Sequence, residues 1–453
     1  MFSRRSITNN WLSIFAGSYL LVFIRLLWYP GKGGGVMDTT AIPLFDQSTL
    51  QMVILTEVII CFILAILQIQ NTLSKTVKYL HIGILLFICY IVINACIFVE
   101  LGSTFLTANI LLGPTAFYIY CCLSETQLVL WYPMVLILTL IRYVVDIFAT
   151  LPSNSELSIY HYAMFNRLSA IFDHPNHLGN LLAFGIILCF VMSLMTHTYV
   201  KKVALWFLLV PLLYFLIHTF SRGAFLGCIL GTIISLLLLY RHCTLNKLIS
   251  YSCILLVTTA ILLYISSCGT AVYTRTLKSN ISHDAAVGNR FAVWHSALMM
   301  ISDHWIIGVG ISRFSIAMDE GYKPVHLSHY SYKSALNNYL TLAAETGIPG
   351  LLLYMIPILI AISIAVRQSS NTYSDIGIRI GLIGGIISLL VFALTTYTLV
   401  RVYANLLLWT ALAYTCVFRR FRTVISELSE RLFRRNRTLF GAERRWFLYI
   451  SFC

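Results

Sequence analysis

Apolar positions along this chain come in runs of about twenty residues, broken by short polar stretches. That is the length an α-helix needs to cross the ~30 Å hydrocarbon core of a bilayer. The runs fall near residues 11–28, 50–69, 80–98, 103–121, 127–148, 177–195, 203–219, 222–240, 249–267, 345–366, 377–398 and 400–418. Neither a two-residue alternation nor a single apolar stripe dominates them, so they predict helices with little water-facing surface. The expected fold is an all-α polytopic membrane protein with about twelve transmembrane helices.

The polar breaks predict sidedness. Arg4 and Arg5, the Lys75/Lys78 and Lys201/Lys202 pairs, Arg241 with Lys247, and Arg367 all fall in segments that share one side of a twelve-span map. Short basic loops mark the cytoplasmic side, so both termini are expected there. The long connections 29–49, 149–176 and 268–344 are then external, and loops beyond about 15 residues are usually functional. The chain divides into transmembrane helices 1–9 over 1–267, a large external loop over 268–344 and three more spans over 345–418. A basic tail follows over 419–453. Within the loop, RFAVWHSALMM (290–300) has helical spacing. The basic, apolar start resembles a secretory signal, but it lacks a suitably placed small-residue cleavage site and many spans follow. It is expected to remain as the first helix.

Composition agrees. Of 453 residues, 59% are apolar and 11% charged, against about 25% charged in a soluble globular protein. The net charge is +14, and residues 419–445 hold nine arginines against three glutamates. Beside a membrane span such a tail touches anionic lipid, and nucleic acid is not expected as a partner. The twelve cysteines lie mostly in apolar runs with no CxxC spacing, which reads as core residues rather than metal ligands or disulfides.

Ionisable groups at external span ends carry the candidate chemistry. Arg222, in FSRGAFLG, stands on the side the positive-inside bias disfavours. With Gly223 permitting a tight turn and close backbone approach, it is a candidate anion site. Arg290, in GNRFAVW, could join it, since a planar guanidinium matches phosphate oxygens bidentately. Arg142, spaced for a pair with Asp146, and Arg25 and Arg401 are secondary cavity candidates. In FDHPNHLGN (172–180), Asn176 is a candidate helix cap, and His174, His177 and Asn176 are candidate cavity residues. In HLSHYSYKSALNNYLTLAAETGIPG (326–350), His326 and His329 are candidate general bases. Asn337 and Glu345 are candidate cavity residues, Glu345 begins the apolar run as a candidate helix-end salt-bridge partner, and GIPG marks a bend.

Four of these stretches, in order and spacing, carry a resemblance: FDHPNHLGNLLAF (172–184), FSRGAFLG (220–227), GNRFAVWHSALMMISDHWIIGVGISRF (288–314) and NNYLTLAAETGIPG (337–350). Together they resemble the O-antigen ligase and polymerase family of bacterial inner-membrane polysaccharide enzymes. The resemblance spans roughly 166–353. It implies an inverting glycosyltransferase without metal or cofactor, working at the periplasmic face. Its substrates would be an undecaprenyl-diphosphate-linked glycan and an acceptor hydroxyl on lipid A-core (ligase) or on a second lipid-linked glycan (polymerase). Arg222 and Arg290 would hold the diphosphate, and a histidine would deprotonate the acceptor. Many members place that histidine immediately before the residue that is Asn337 here. This chain has Leu336, which shifts the expectation to His329, then His326, with Lys333 a further substitute. The alternative from another class is a transporter of the same lipid-linked glycans. Transporters tend to show repeated halves and midplane sites, whereas the ionisable groups here gather at one face.

Overall fold

A computed structural model describes residues 47–70, 74–122, 175–265, 285–325, 332–367, 373–397 and 404–416. The spans expected near 11–28 and 127–148 lie outside the described residues, and so does the basic tail. The helices are α1 (Gln47–Gln70), α2 (Lys75–Ile97), α3 (Leu101–Cys122), α4 (Pro175–Met195), α5 (Tyr199–Thr219), α6 (Arg222–Leu239) and α7 (Leu245–Ile265). They are followed by α8 (Ala285–Asp303), α9 (Asn338–Arg367), α10 (Tyr373–Phe392) and α11 (Ala404–Cys416). Eight helices among the described residues are long and apolar enough to cross a membrane, and the described residues contain no strand. The protein is an all-α polytopic membrane protein.

Successive helices run up and down, so the basic residues collect at one end. Lys75 and Lys78 begin α2, Lys201 and Lys202 begin α5, Arg241 and Lys247 link α6 to α7, and Arg367 ends α9. The opposite end holds the starts of α4, α6 and α9 and the close of α10.

Two packing regions share α10. In the first, α10 packs on α4 and α6, and α5 packs on α4. Gly223, Gly227 and Gly231, one helical turn apart, turn the same face of α6 to α10. A side chain at Gly227 would strike the Ser388 backbone oxygen at 2.8 Å, and one at Gly231 would meet that of Gly384. Lipid tails are as apolar as Leu, so membrane helices associate by close packing, which small residues allow. In the second region α2 packs antiparallel on α9, with Gly83 against Pro357 and Tyr90 against Gly350. There α1 packs on α3, and α11 meets α3 where the Asn405 amide donates to the Asn109 carbonyl at 2.6 Å.

Local chemistry sets the boundaries at the site end. The α5–α6 turn is made at Phe220, in the left-handed region at φ 47°. Ser221 then caps α6, its hydroxyl accepting from Ala224 N at 3.4 Å. Gly223 serves close approach to Thr395 and Phe392 rather than the turn itself. Helix α4 begins at Pro175, whose fixed φ and missing donor suit the first helical position. Asn176 therefore lies inside the first turn and is not the cap expected of it. Helix α9 starts at Asn338, seven residues before the apolar run, and breaks at Gly347 (φ 72°, ψ 175°), with Pro349 just beyond. Only glycine adopts that conformation readily, so the GIPG bend is real. It lies within α9, and Glu345 sits just before it rather than at a helix start.

Candidate functional site at the end opposite the basic loops

The close of α10 is the hub of this end. The Ala393 carbonyl accepts the N–H of Asn338 at 2.8 Å, and the Leu390 carbonyl accepts the Tyr339 hydroxyl at 2.7 Å, which fixes the start of α9. Thr395 abuts Gly223, which fixes the start of α6. The Tyr397 hydroxyl donates to the Glu345 carboxylate. One short stretch, residues 390–397, thus joins the helix carrying Arg222 to the helix carrying Asn337 and Glu345.

Arg222 is half-buried and is the first residue of α6, which has no acidic side chain in its first turn. A helix N-terminus already carries partial positive charge from its unpaired N–H groups. A cation placed there adds to that field and costs the helix about 0.3–1 kcal/mol. Such an arrangement suits an anion.

Arg290 lies in the first two turns of α8, half-buried. Val293, Ala297 and Met300 from that helix pack with Phe314, Ala335 and Ala344. This core holds α8 against the start of α9, so Arg290 belongs to the same end as Arg222.

Asn337 is buried, and its side-chain oxygen accepts from Tyr339 N at 2.9 Å and Leu340 N at 3.2 Å. It caps α9. Before it, Leu336 holds a left-handed backbone at φ 53°. Side chains other than glycine are uncommon there, and such strain clusters at functional segments. Position 336, for which the resemblance implied a histidine in many members, is thus a conformationally constrained leucine beside a buried cap.

Glu345 is buried at 2% exposure and accepts from the backbone N–H groups of Ser312 and Phe314 as well as from Tyr397. Backbone bonds from Val309 N to Ala344 O (2.9 Å) and Gly310 N to Glu345 O (3.0 Å) run alongside. Residues 305–314 therefore form a strap across the α9 bend. Gly308 and Gly310 take positive φ, and a side chain on Gly308 would overlap the Glu345 backbone. Helix α2 pins the strap from the other side. The Tyr90 hydroxyl stands 2.6 Å from both the Ile306 and Thr346 carbonyls, and the Asn94 amide donates to Ile307 O at 2.8 Å.

Several residues at this end carried no individual reading from sequence. Tyr90, Asn94 and Tyr397 act across more than fifty, and up to 256, positions of chain, and only Asn94, polar within an apolar run, gave any signal. Asn180 is fully buried, with neither side-chain atom hydrogen-bonded among the described residues. Its neighbour Gly179 abuts Thr219, Ser221 and Ala224. His177 is buried on the same turn, Asn176 is half-buried and Lys333 is exposed. His326, His329, His174, Arg142 and Arg401 lie outside the described residues. Among the described residues no group of three His, Cys, Asp or Glu side chains could hold a metal ion.

Residues 207–355, which contain Arg222, Arg290, the strap, Asn337, Glu345 and the α9 bend, match the family model described as O-antigen ligase. These residues are about a third of the chain, and the likeness to the O-antigen ligase family is to that stretch. No curated protein matches the chain. The family match supports glycosyltransferase-like chemistry of the ligase or polymerase type, with lipid-linked glycans and membrane lipids as the class of partner. The matched region supplies α6, α8 and the part of α9 up to residue 355. The packing partners α2, α4 and α10 that assemble them lie outside it.

Proposed function

We propose that this protein is a membrane glycosyltransferase of the bacterial inner membrane, moving a glycan from undecaprenyl diphosphate to an acceptor hydroxyl at the periplasmic face. The acceptor is lipid A-core, as in an O-antigen ligase. The observation that carries this reading is half-buried Arg222 at the start of α6. It is a cation on a positive helix terminus, within the stretch that matches the O-antigen ligase family, at the end of the bundle away from the basic loops.

In this reading Arg222 and Arg290 stabilise charge developing on the diphosphate as the anomeric C–O bond breaks. The acceptor oxygen attacks from the opposite face, forming the new glycosidic bond and inverting the centre. Its proton passes to His329, or to His326 in its place, and undecaprenyl diphosphate leaves. The chain supplies the charge stabilisation through guanidinium and backbone groups, and the reading invokes no cofactor or metal. A polymerase, which offers the hydroxyl of a second lipid-linked repeat unit as acceptor, is the second reading. Both termini are assigned to the cytoplasm, because every described short loop with a basic pair lies at the end away from Arg222.

The test is transfer by purified protein from lipid-linked glycan to lipid A-core or to a second lipid-linked glycan. Arg222→Ala is expected to lower turnover by about 10²–10³-fold, the scale for removing one preorganised donor to developing charge, without loss of thermal stability. Full activity in that variant removes the diphosphate clamp. Absence of transfer to either acceptor, with no undecaprenyl diphosphate released by wild type, removes the glycosyltransferase reading.

A further inference from the structure

Helix α8 is not among the helices apolar enough to span, yet its outward face carries large apolar side chains. Val293, Ala297 and Met300 are buried, whereas Phe291, Leu298 and Met299, with His295 between them, face outward. The exposed surface continues past Ser302, Asp303 and His304 into Trp305, Ile306 and Ile307, exposed by 55%, 53% and 42%. Three consecutive exposed large apolar side chains on an ordered strap are costly in water.

Their level relative to the bilayer follows from what holds them. The Trp305 carbonyl accepts from Ile348 N at 2.8 Å, Ile306 O is within reach of Tyr90, and Ile307 O accepts from Asn94. On α9, Ile348 is nineteen residues from Arg367 at the basic end, and on α2, Asn94 is nineteen residues from Lys75. At 1.5 Å per residue both separations are about 29 Å, close to one hydrocarbon thickness. The strap therefore sits at the far rim of the apolar slab. The neighbouring surfaces at that level, Ile93 and Ile97 on α2 and Ile348 and Leu352 on α9, are also exposed and apolar. They are continuous with the lipid-facing surface of the spans. Tryptophan favours such an interface because its ring is apolar while its N–H can stay wet.

We propose that Trp305, Ile306 and Ile307, continued by Leu298 and Met299, are a membrane-inserted wedge that contacts the acyl chains of the leaflet on the Arg222 side. The wedge fixes α8 along the bilayer surface. On the glycan-transfer reading, this holds Arg290 at the depth of a lipid-borne diphosphate.

The test uses the whole protein in nanodiscs without substrate, so its outcome is separate from that of the transfer assay. The emission of Trp305 is obtained as wild type minus Trp305→Phe. It is read with phosphatidylcholine brominated on its acyl chains and, separately, with aqueous iodide. The expected result is a blue-shifted component that brominated lipid reduces about twofold, as for a ring at the lipid interface, and that iodide leaves nearly unchanged. Quenching mainly by iodide overturns the proposal. Shielding from both quenchers, as a protein partner covering the strap would give, overturns it as well. If Trp305→Phe does not fold, the added emission of Ile306→Trp over wild type is read with the same two quenchers and judged in the same way.

Discussion

The two packing regions around α10 are held together differently. Where α6 crosses α10, glycines at 223, 227 and 231 bring backbone against Ser388 and Gly384, and the contact is nearly all van der Waals. Where α2 meets α9 and the strap, Tyr90, Asn94 and Glu345 reach backbone groups of a segment that forms no long helix of its own. The first region is a rigid joint between regular helices. The second makes irregular backbone acceptable at the membrane rim, where each unpaired N–H or C=O is expensive. Arg222 stands on the first and Arg290 is tied to the second, so the candidate site is assembled by both.

The most damaging change should therefore be a side chain in the glycine seam. Gly227→Leu is expected to cost more than about 3 kcal/mol, the upper range for overpacking, because the obstacle is the Ser388 backbone and not a movable side chain. Size-exclusion in detergent should show loss of the monodisperse species. Gly321→Ala, where an added carbon meets nothing within 4 Å, should leave the profile unchanged.

Next comes the strap's acid. Glu345→Ala leaves the Ser312 and Phe314 N–H groups buried without their acceptor, at a cost of about 1–3 kcal/mol. Glu345→Gln keeps one acceptor oxygen and should lose less. Thermal unfolding of the two variants checks this, and equal losses would mean that one amide oxygen of the same shape cannot replace the two carboxylate oxygens that accept from Ser312, Phe314 and Tyr397.

A smaller effect is expected at Tyr90→Phe. The hydroxyl has one proton for two carbonyls, so its net worth is about 0.5–1.5 kcal/mol. Hydrogen exchange should show faster opening around residues 305–310 while the α6–α10 seam keeps its protection. Lys323→Ala, which removes the 2.9 Å pair with exposed Asp319 beyond the strap, should change stability least, by about 0–0.5 kcal/mol.

How much was legible depended on the range of the interactions. Apolar runs of span length show directly in the sequence, because a membrane helix satisfies its own backbone hydrogen bonds and needs no partner to exist. For the same reason the bend at GIPG was readable, since glycine and proline act on the backbone locally. Asn176 was misread as a cap because Pro175 starts the helix one residue earlier, a difference of boundary only. Glu345 could not be read correctly: its partners Ser312 and Phe314 come from the strap, and Tyr397 from beyond α10. The glycine seam was present as a spacing in FSRGAFLGCILG, but which helix it would meet was not.

The sequence by itself determined an all-α membrane protein and the collection of the described basic segments at one end, with Arg222 at the other. Those properties follow from hydrophobicity, helix length and local charge, each decided within about twenty residues. Only the tertiary structure decided that residues 390–397 draw the starts of α6 and α9 together, that Asn337 is a cap, and that Glu345 holds a strap. Those contacts require backbone groups from distant segments to approach within hydrogen-bond or van der Waals distance, and that is set by how helices pack.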